Sequence, residues 1–289
     1  YFNDAAFINS DITSYTNDAF SIYKLLNFEA VDTKSKVIII PDGMINFIPF
    51  EALLSSKTSS PSFAKMPFVI NNQTLSYNSS LEFYLNSKSK RIEDKILGVF
   101  PVFKNSGREL LYTIDEAKGI EKHIQGEFLL HEQATKENFL KQINDYSILH
   151  LSTHATSGDF INPANISFSK STLSLDELYT IDINPNLVVL SACETGVGKL
   201  FKGEMPLSIA RGFQYAGAEN ILFSQWQIND LSTSTLMTSF YSYYSEGKSA
   251  MFANRQSKID YLNNSKISNA KKSPYYWSAF IFYGDSQEL

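Results

Sequence analysis

The chain contains a single cysteine, Cys193, and the residues around it indicate which chemistry the chain could perform. Cys193 comes shortly after the apolar run 187–191 (LVVLS), and His154 comes shortly after a second apolar run, 147–152 (SILHLS). A thiolate attacks a peptide carbonyl far better than a thiol does, and a nearby imidazole lowers the thiol pKa and stores the proton. The same imidazole can then protonate the departing amine. The pair predicts nucleophilic catalysis, with Cys193 as nucleophile and His154 as general base.

Other chemistries fit the sequence less well. His150 and His154 have H-x3-H spacing, but no third ligand is evident nearby, so we expect His150 to pack in the core and expect neither metal nor cofactor. Residues 196–199 (GVGK) suggest a phosphate loop, but a Walker motif requires Gly where Cys193 stands and Ser or Thr where Leu200 stands. An esterase that uses Ser191 would need a G-x-S-x-G turn, which is missing around this residue.

The elements that position these residues follow from short apolar runs and helical stripes. Runs rich in β-branched residues predict strands at 36–40, 95–100, 147–152, 187–191, 220–224 and 279–283. Apolar residues at helical spacing predict helices at 115–124, 135–143 (with Thr135 as N-cap), 206–216 and 231–244. We therefore predict an α/β fold, a sandwich with a mostly parallel central sheet flanked by helices. Sites in such sheets form at the carboxyl ends of strands, so neighbouring parallel strands would bring His154 and Cys193 to one edge.

The chain is long for one domain and short for two large ones. The region before about residue 90 is less regular, and we expect it to form an N-terminal helix and a small subdomain over residues 1–90. Residues 91–289 would then form the catalytic domain. The chain begins with Tyr1 rather than Met, so we expect that further sequence precedes it.

Composition limits the partners and the compartment. The net charge of −5, with both signs interspersed, gives no electrostatic reason to expect nucleic-acid binding. No apolar run is long enough to span a membrane, and the first residues have no secretory signal. One cysteine excludes an internal disulfide, which is consistent with a reducing cytoplasm.

The wider sequence resembles the CHAT domain, a caspase-related family often fused to TPR repeats. The resemblance rests on residues 147–155 (SILHLSTHA) and 188–204 (VVLSACETGVGKLFKGE), and covers roughly residues 35–285 in family order. Further blocks resemble the family at 41–43 (PDG), 48–53 (IPFEAL), 208–213 (SIARGF), 216–218 (AGA), 226–230 (WQIND) and 274–281 (PYYWSAFI).

This resemblance implies a caspase-like fold, shared with caspases and separase, and a dyad of Cys193 and His154. The oxyanion donors of caspases correspond here to the backbone amides of Cys193 and Ala155. The family usually has Gly at the position of Ala155 and commonly has Gly at the position of Met205, so both residues depart from the family pattern in ways that affect how a substrate fits.

The resemblance also indicates a specificity pocket. Ser191 stands where caspases place a glutamine that lines the pocket, and Asp230 resembles the acidic position that separase-like members present to a basic residue. Asp230 has a second possible role, as the N-cap of a helix that begins at Leu231.

Two functions of different kinds remain open at this point. The leading hypothesis is a regulated cysteine endopeptidase in a bacterial setting. Its partners would be a protein or peptide substrate and an upstream regulatory domain such as TPR repeats. The alternative is a non-catalytic CHAT module that serves as an interaction scaffold.

Overall fold

The computed structural model describes residues 2–31, 36–86, 94–104, 106–158, 162–191, 209–227 and 229–285. The α-helices in these ranges are α1 (Ala5–Ser10), α2 (Ile12–Leu25), α3 (Val69–Asn72), α4 (Leu81–Asn86), α5 (Thr113–Glu121), α6 (Lys136–Gln142), α7 (Leu175–Leu178), α8 (Ile209–Ala216), α9 (Asp230–Ser245) and α10 (Ala250–Asn263). The strands are β1 (Lys36–Ile39), β2 (Thr74–Tyr77), β3 (Ile96–Phe100), β4 (Gly126–Leu130), β5 (Ile148–Leu151), β6 (Ala155–Thr156), β7 (Asn165–Ser167), β8 (Thr172–Ser174), β9 (Leu187–Leu190), β10 (Ile221–Ser224) and β11 (Phe280–Tyr283).

Within the described ranges, eight strands form one central sheet in the order β1-β2-β11-β10-β9-β5-β3-β4. All neighbouring strands are parallel except β10 and β11, which pair antiparallel. Every residue of β3, β5, β9, β10 and β11 is buried, as expected for strands covered on both faces. The six predicted strands and the mostly parallel sheet are confirmed.

Several elements do not appear in the sequence prediction. β4 is an edge strand with exposed residues at its start, and its sequence lacks a continuous apolar run. A separate antiparallel sheet of β6, β7 and β8 follows His154 directly, and its strands contain only two or three residues each. α10 carries apolar and polar residues all round, so its helical stripe is weak.

The N-terminal region joins the central sheet instead of standing apart from it. β1 and β2 extend the sheet beyond β11, where Tyr77 pairs with Tyr283. Its apolar residues also belong to the same buried core as the rest of the described chain. The division of the chain near residue 90 stays a prediction.

Two predicted helix starts can be compared with the structure. Thr135 caps α6, because its Oγ1 accepts the Asn138 N–H at 3.1 Å. Asp230 does not cap α9: the helix begins at Asp230, and its N-cap is Asn229, whose Oδ1 accepts the N–H groups of Leu231 and Ser232. The predicted capping role of Asp230 is therefore wrong.

No helix within the described ranges has both the length and the apolar character required to cross a membrane.

Candidate active site

β5 and β9 bring the two chemically suggestive segments to one edge of the sheet. They are parallel neighbours with Leu151 opposite Leu190, and the Ser191 N–H donates to the Leu151 carbonyl at 2.9 Å. His154 comes soon after β5, and in the sequence Cys193 comes equally soon after β9. Cys193 lies outside the described residues. The predicted pairing of the two strands is confirmed, and a contact between Cys193 and His154 stays a prediction.

The His154 ring is held by the segment between β3 and α5. Its Nε2 lies 2.6 Å from the Arg108 carbonyl oxygen, and its ring packs against Phe103 with centroids 4.9 Å apart. A carbonyl oxygen can only accept, so Nε2 carries the proton and donates it. Nδ1 of the neutral ring is then unprotonated and is the nitrogen able to accept a proton. A third group that orients the base in this way is typical of nucleophile–base pairs.

The surroundings of His154 keep its imidazole neutral at physiological pH. Its pKa lies below the ordinary value of 6.5, chiefly because partial burial disfavours the charged ring. The bond to the Arg108 carbonyl raises the pKa, the Arg108 charge lowers it, and the Asp230 charge raises it. A neutral imidazole is the form that can act as a base.

Ala155, one of the two predicted oxyanion donors, lies in β6. It stands opposite Ile166 of β7, and the neighbouring Ser167 N–H donates to the His154 carbonyl at 2.8 Å. In an antiparallel ladder this pattern makes Ala155 and Ile166 a non-hydrogen-bonded pair, so the β6–β7 ladder does not use the Ala155 N–H. The Ala155 backbone has no positive φ, so its methyl group causes no backbone strain.

Ser191 and Asp230, the two predicted pocket residues, line one cavity beside these strand ends. Ser152, Ser191 and Ser224 mark the carboxyl ends of β5, β9 and β10, and all three contribute to its wall. The cavity is narrow, with a volume of about 20 Å³. Its remaining lining residues are Leu110, Thr113, Glu116, Thr153, Thr233 and Phe280. The cavity is therefore rich in hydroxyl and carboxylate groups.

The Asp230 carboxylate is partly buried at the first turn of α9. Its pKa lies above the ordinary value, chiefly because burial disfavours the anion. A hydrogen bond from the Leu111 N–H lowers this pKa, the Glu116 charge raises it, and the His154 charge lowers it. Residues 108–111 therefore contact both His154, through the Arg108 carbonyl, and Asp230, through the Leu111 amide.

Beneath the cavity lies a polar network that the sequence prediction missed. Glu116 accepts a hydrogen bond from the Ser152 hydroxyl at 2.7 Å, and its other oxygen lies 3.0 Å from Nε2 of His150. The Tyr241 hydroxyl lies 3.0 Å from Nδ1 of His150. His150 is fully buried, as predicted for a core histidine. The available signal was the helical stripe, because Glu116 precedes Ile120 by four residues and so lies on the inward face of α5.

Comparisons with known proteins agree with this architecture. A family model described as the CHAT domain matches residues 21–285. Two crystal structures of the Saccharomyces cerevisiae separase–securin complex are similar to this chain, with TM-scores of 0.59 and 0.55, 13% identity, and coverage of 88% of this chain and 16% of the yeast chain. A structure titled "Structure of Protease" has a TM-score of 0.50 and 13% identity, and covers 75% of this chain and 56% of its own. A search of curated proteins finds no match.

At this level of identity the structural likeness shows the fold alone. The fold is a caspase-like α/β sandwich, which confirms the predicted fold class. The chain spans 16% of the length of the yeast chain that it resembles, so the activity and partners of the whole protein are a separate question.

Proposed function

Because the chain belongs to the CHAT domain family, we propose that it is a cysteine endopeptidase that cleaves a protein partner through Cys193 and His154. The observation that carries this proposal is the paired edge of β5 and β9. Ser191, which precedes Cys193 by two residues in the sequence, donates its N–H to the Leu151 carbonyl; His154 follows Leu151 by three residues, and its Nε2 is held by a backbone carbonyl at 2.6 Å. Thiol activation requires a held, neutral imidazole within reach of the cysteine, so the proposal is that Cys193 lies within reach of His154.

The proposed reaction has two halves, acylation of Cys193 and hydrolysis of the thioester. Nδ1 of His154 takes the thiol proton, and the Cys193 thiolate attacks the carbonyl carbon of the peptide bond. The backbone amides of Cys193 and Ala155 stabilise the oxyanion, a role supported by the Ala155 N–H being outside the β6–β7 ladder. His154 then protonates the departing amine. In the second half, water attacks the thioester with His154 again as the base, which releases the acid and regenerates the thiol.

Asp230 and Ser191 form the proposed specificity pocket. The partly buried Asp230 carboxylate would favour Lys or Arg before the cut bond, because it offers a charge-assisted hydrogen bond in a partly desolvated site. Such a contact is worth about 2–5 kcal/mol when one partner is removed from a buried charge pair.

We further propose that this site is regulated by an upstream or partner domain, such as TPR repeats, in a bacterial cytoplasm. A cavity of about 20 Å³ holds little more than one water molecule. A long side chain can therefore enter only if the wall of this cavity moves, and Leu110 of the segment 108–111 forms part of that wall. A shift of this segment would also affect the contact of Arg108 with His154, so one movement would control both binding and the base.

The reactivity of Cys193 tests the proposed dyad. A free cysteine with pKa about 8.5 is about 3% thiolate at pH 7, so an activated Cys193 should react with iodoacetamide about tenfold faster or more. His154→Ala should slow the reaction to the rate of a free thiol. His131→Ala is the matched control, because it removes an exposed histidine elsewhere and should leave the rate unchanged. A slow rate that His154→Ala does not alter would contradict the dyad and favour the scaffold alternative.

A further inference from the structure

The cavity beside the strand ends is lined by two carboxylates, Asp230 and Glu116, and the proposed specificity pocket uses only Asp230. Glu116 lies in the same wall but is more deeply buried, with 2% of the residue exposed. It projects from the first turn of α5, the helix that follows residues 108–111. Asp230 projects from the first turn of α9. Two helices therefore direct acidic groups into one small cavity.

Within the part of the chain that the structure describes, Glu116 receives hydrogen bonds from two residues only, His150 and Ser152. Nε2 of His150 lies 3.0 Å from Oε1 of Glu116, and the Tyr241 hydroxyl lies 3.0 Å from Nδ1 of the same ring. The second Glu116 contact is the neutral Ser152 hydroxyl. A carboxylate offers about four acceptor positions, so Glu116 can accept further hydrogen bonds. Among the described residues that line the cavity, none is a lysine or an arginine.

Ser191 gives an independent indication of a ligand. Ser191 is 8% exposed, and its buried Oγ has no hydrogen-bond partner among the described residues. A buried hydroxyl without a partner costs about 1–3 kcal/mol, so such groups are rare in native proteins. This Oγ lies in the wall of the cavity that holds both carboxylates. It can accept a hydrogen bond from a group that enters there.

We propose that Glu116 is a second acidic determinant of this pocket, and that Glu116 and Asp230 together select arginine over lysine as the residue before the cut bond. This inference rests on the proposed peptidase function. A guanidinium group has five N–H donors in a flat fork, so it can reach two carboxylates and the Ser191 hydroxyl at once. The ammonium group of lysine is a compact charge, and its three N–H donors lie closer together than those of a guanidinium group. The mutual repulsion of the carboxylates also contributes to the raised pKa of Asp230, after burial, and an entering cation would relieve it.

The test uses peptidyl acyloxymethyl ketones that label Cys193 and carry arginine, citrulline, lysine or norleucine before the reactive group. Citrulline and norleucine are uncharged analogues of the two bases. The arginine probe should label the wild type about tenfold faster than the lysine probe. Glu116→Gln should reduce the ratio of the arginine-probe rate to the citrulline-probe rate by about tenfold, which is the factor expected for one charge-assisted hydrogen bond. Glu116→Asp, which keeps the charge, should retain part of the ratio. Glu121→Gln is the control, because Glu121 is an exposed carboxylate of the same helix that does not line this cavity, and it should leave the ratio unchanged.

A rate ratio does not depend on the fraction of each variant that is folded, so partial unfolding cannot imitate the result. Labelling with an unchanged arginine-to-citrulline ratio in Glu116→Gln would overturn this inference and leave the peptidase proposal intact. If no probe labels Cys193, the peptidase proposal fails instead. Calorimetric titration of Cys193→Ala with agmatine, a guanidinium compound, then decides the pocket by itself. Binding that Glu116→Gln abolishes supports the assignment, and absence of binding overturns it.

Discussion

Replacing Glu51 by glutamine should destabilise the fold much more than breaking an exposed ion pair. The Glu51 and Lys258 side chains are 3% and 1% exposed, and Nζ of Lys258 lies 3.2 Å from Oε1 of Glu51. Tyr77 donates to the other Glu51 oxygen at 2.7 Å, and Lys258 also donates to the Phe280 carbonyl. Since Phe280 lines the cavity, this pair ties the N-terminal region to the wall of the candidate site.

The expected magnitude follows from the burial of both charges. Glu51→Gln leaves the Lys258 charge buried without its anion, a change that costs about 3–5 kcal/mol. For a chain of this size that corresponds to a fall of about 6–20 °C in the midpoint of thermal unfolding. The loss should lessen as the pH rises, because burial already lowers the pKa of Lys258 and the neutral amine tolerates the site.

Thermal and urea unfolding of three variants provide the test. Lys24→Gln, which breaks the exposed Lys24–Glu29 pair, should cost at most about 1 kcal/mol, because both side chains are about half exposed. Lys258→Met combined with Glu51→Gln should recover much of the loss seen in Glu51→Gln alone, since no unpaired charge remains. Equal costs for Glu51→Gln and Lys24→Gln would refute the reasoning.

Two further predictions concern the start of α9. Asp230→Asn should raise the unfolding temperature at pH 7. The folded pKa of Asp230 lies above the ordinary value of 3.8, so ionisation of this carboxyl lowers the stability of the fold as the pH rises from 3.8 through the folded pKa. Below pH 3.8 the gain from Asp230→Asn should vanish, and equal gains at both pH values would contradict this explanation. Asn229→Ala should cost about 1 kcal/mol in urea unfolding, whereas a cost confined to Asp230→Ala would restore the capping role to Asp230.

The sequence was most informative where the chain is apolar on both faces. β3, β5, β9, β10 and β11 carry near-continuous apolar runs because helices cover both sides of the sheet, and all five were predicted. β2 was not predicted, because Thr74–Tyr77 has only four residues of mixed polarity. Its place beside β11 depends on the pairing of Tyr77 with Tyr283, a contact between distant residues that no local pattern records.

The sequence predicted which residues of the candidate site follow the strand ends, but it did not predict the backbone groups that contact them. The positions of His154 and Ser191 follow from where two apolar runs stop. The partners of His154 and Asp230 are the Arg108 carbonyl and the Leu111 amide, which any residue types could supply. Helix capping was predicted one residue too late, because Asn229 and Asp230 are both good N-caps and the sequence cannot rank them.

The central claim, that Cys193 cleaves a protein partner, is tested most directly by a proteome-wide search for new protein termini. Lysate treated with the wild type is compared with lysate treated with Cys193→Ala, which should retain the fold and lack the nucleophile. The account predicts a small set of new termini that appear only with the wild type, each preceded by arginine or lysine. Identical sets of termini in the two samples would contradict the claim.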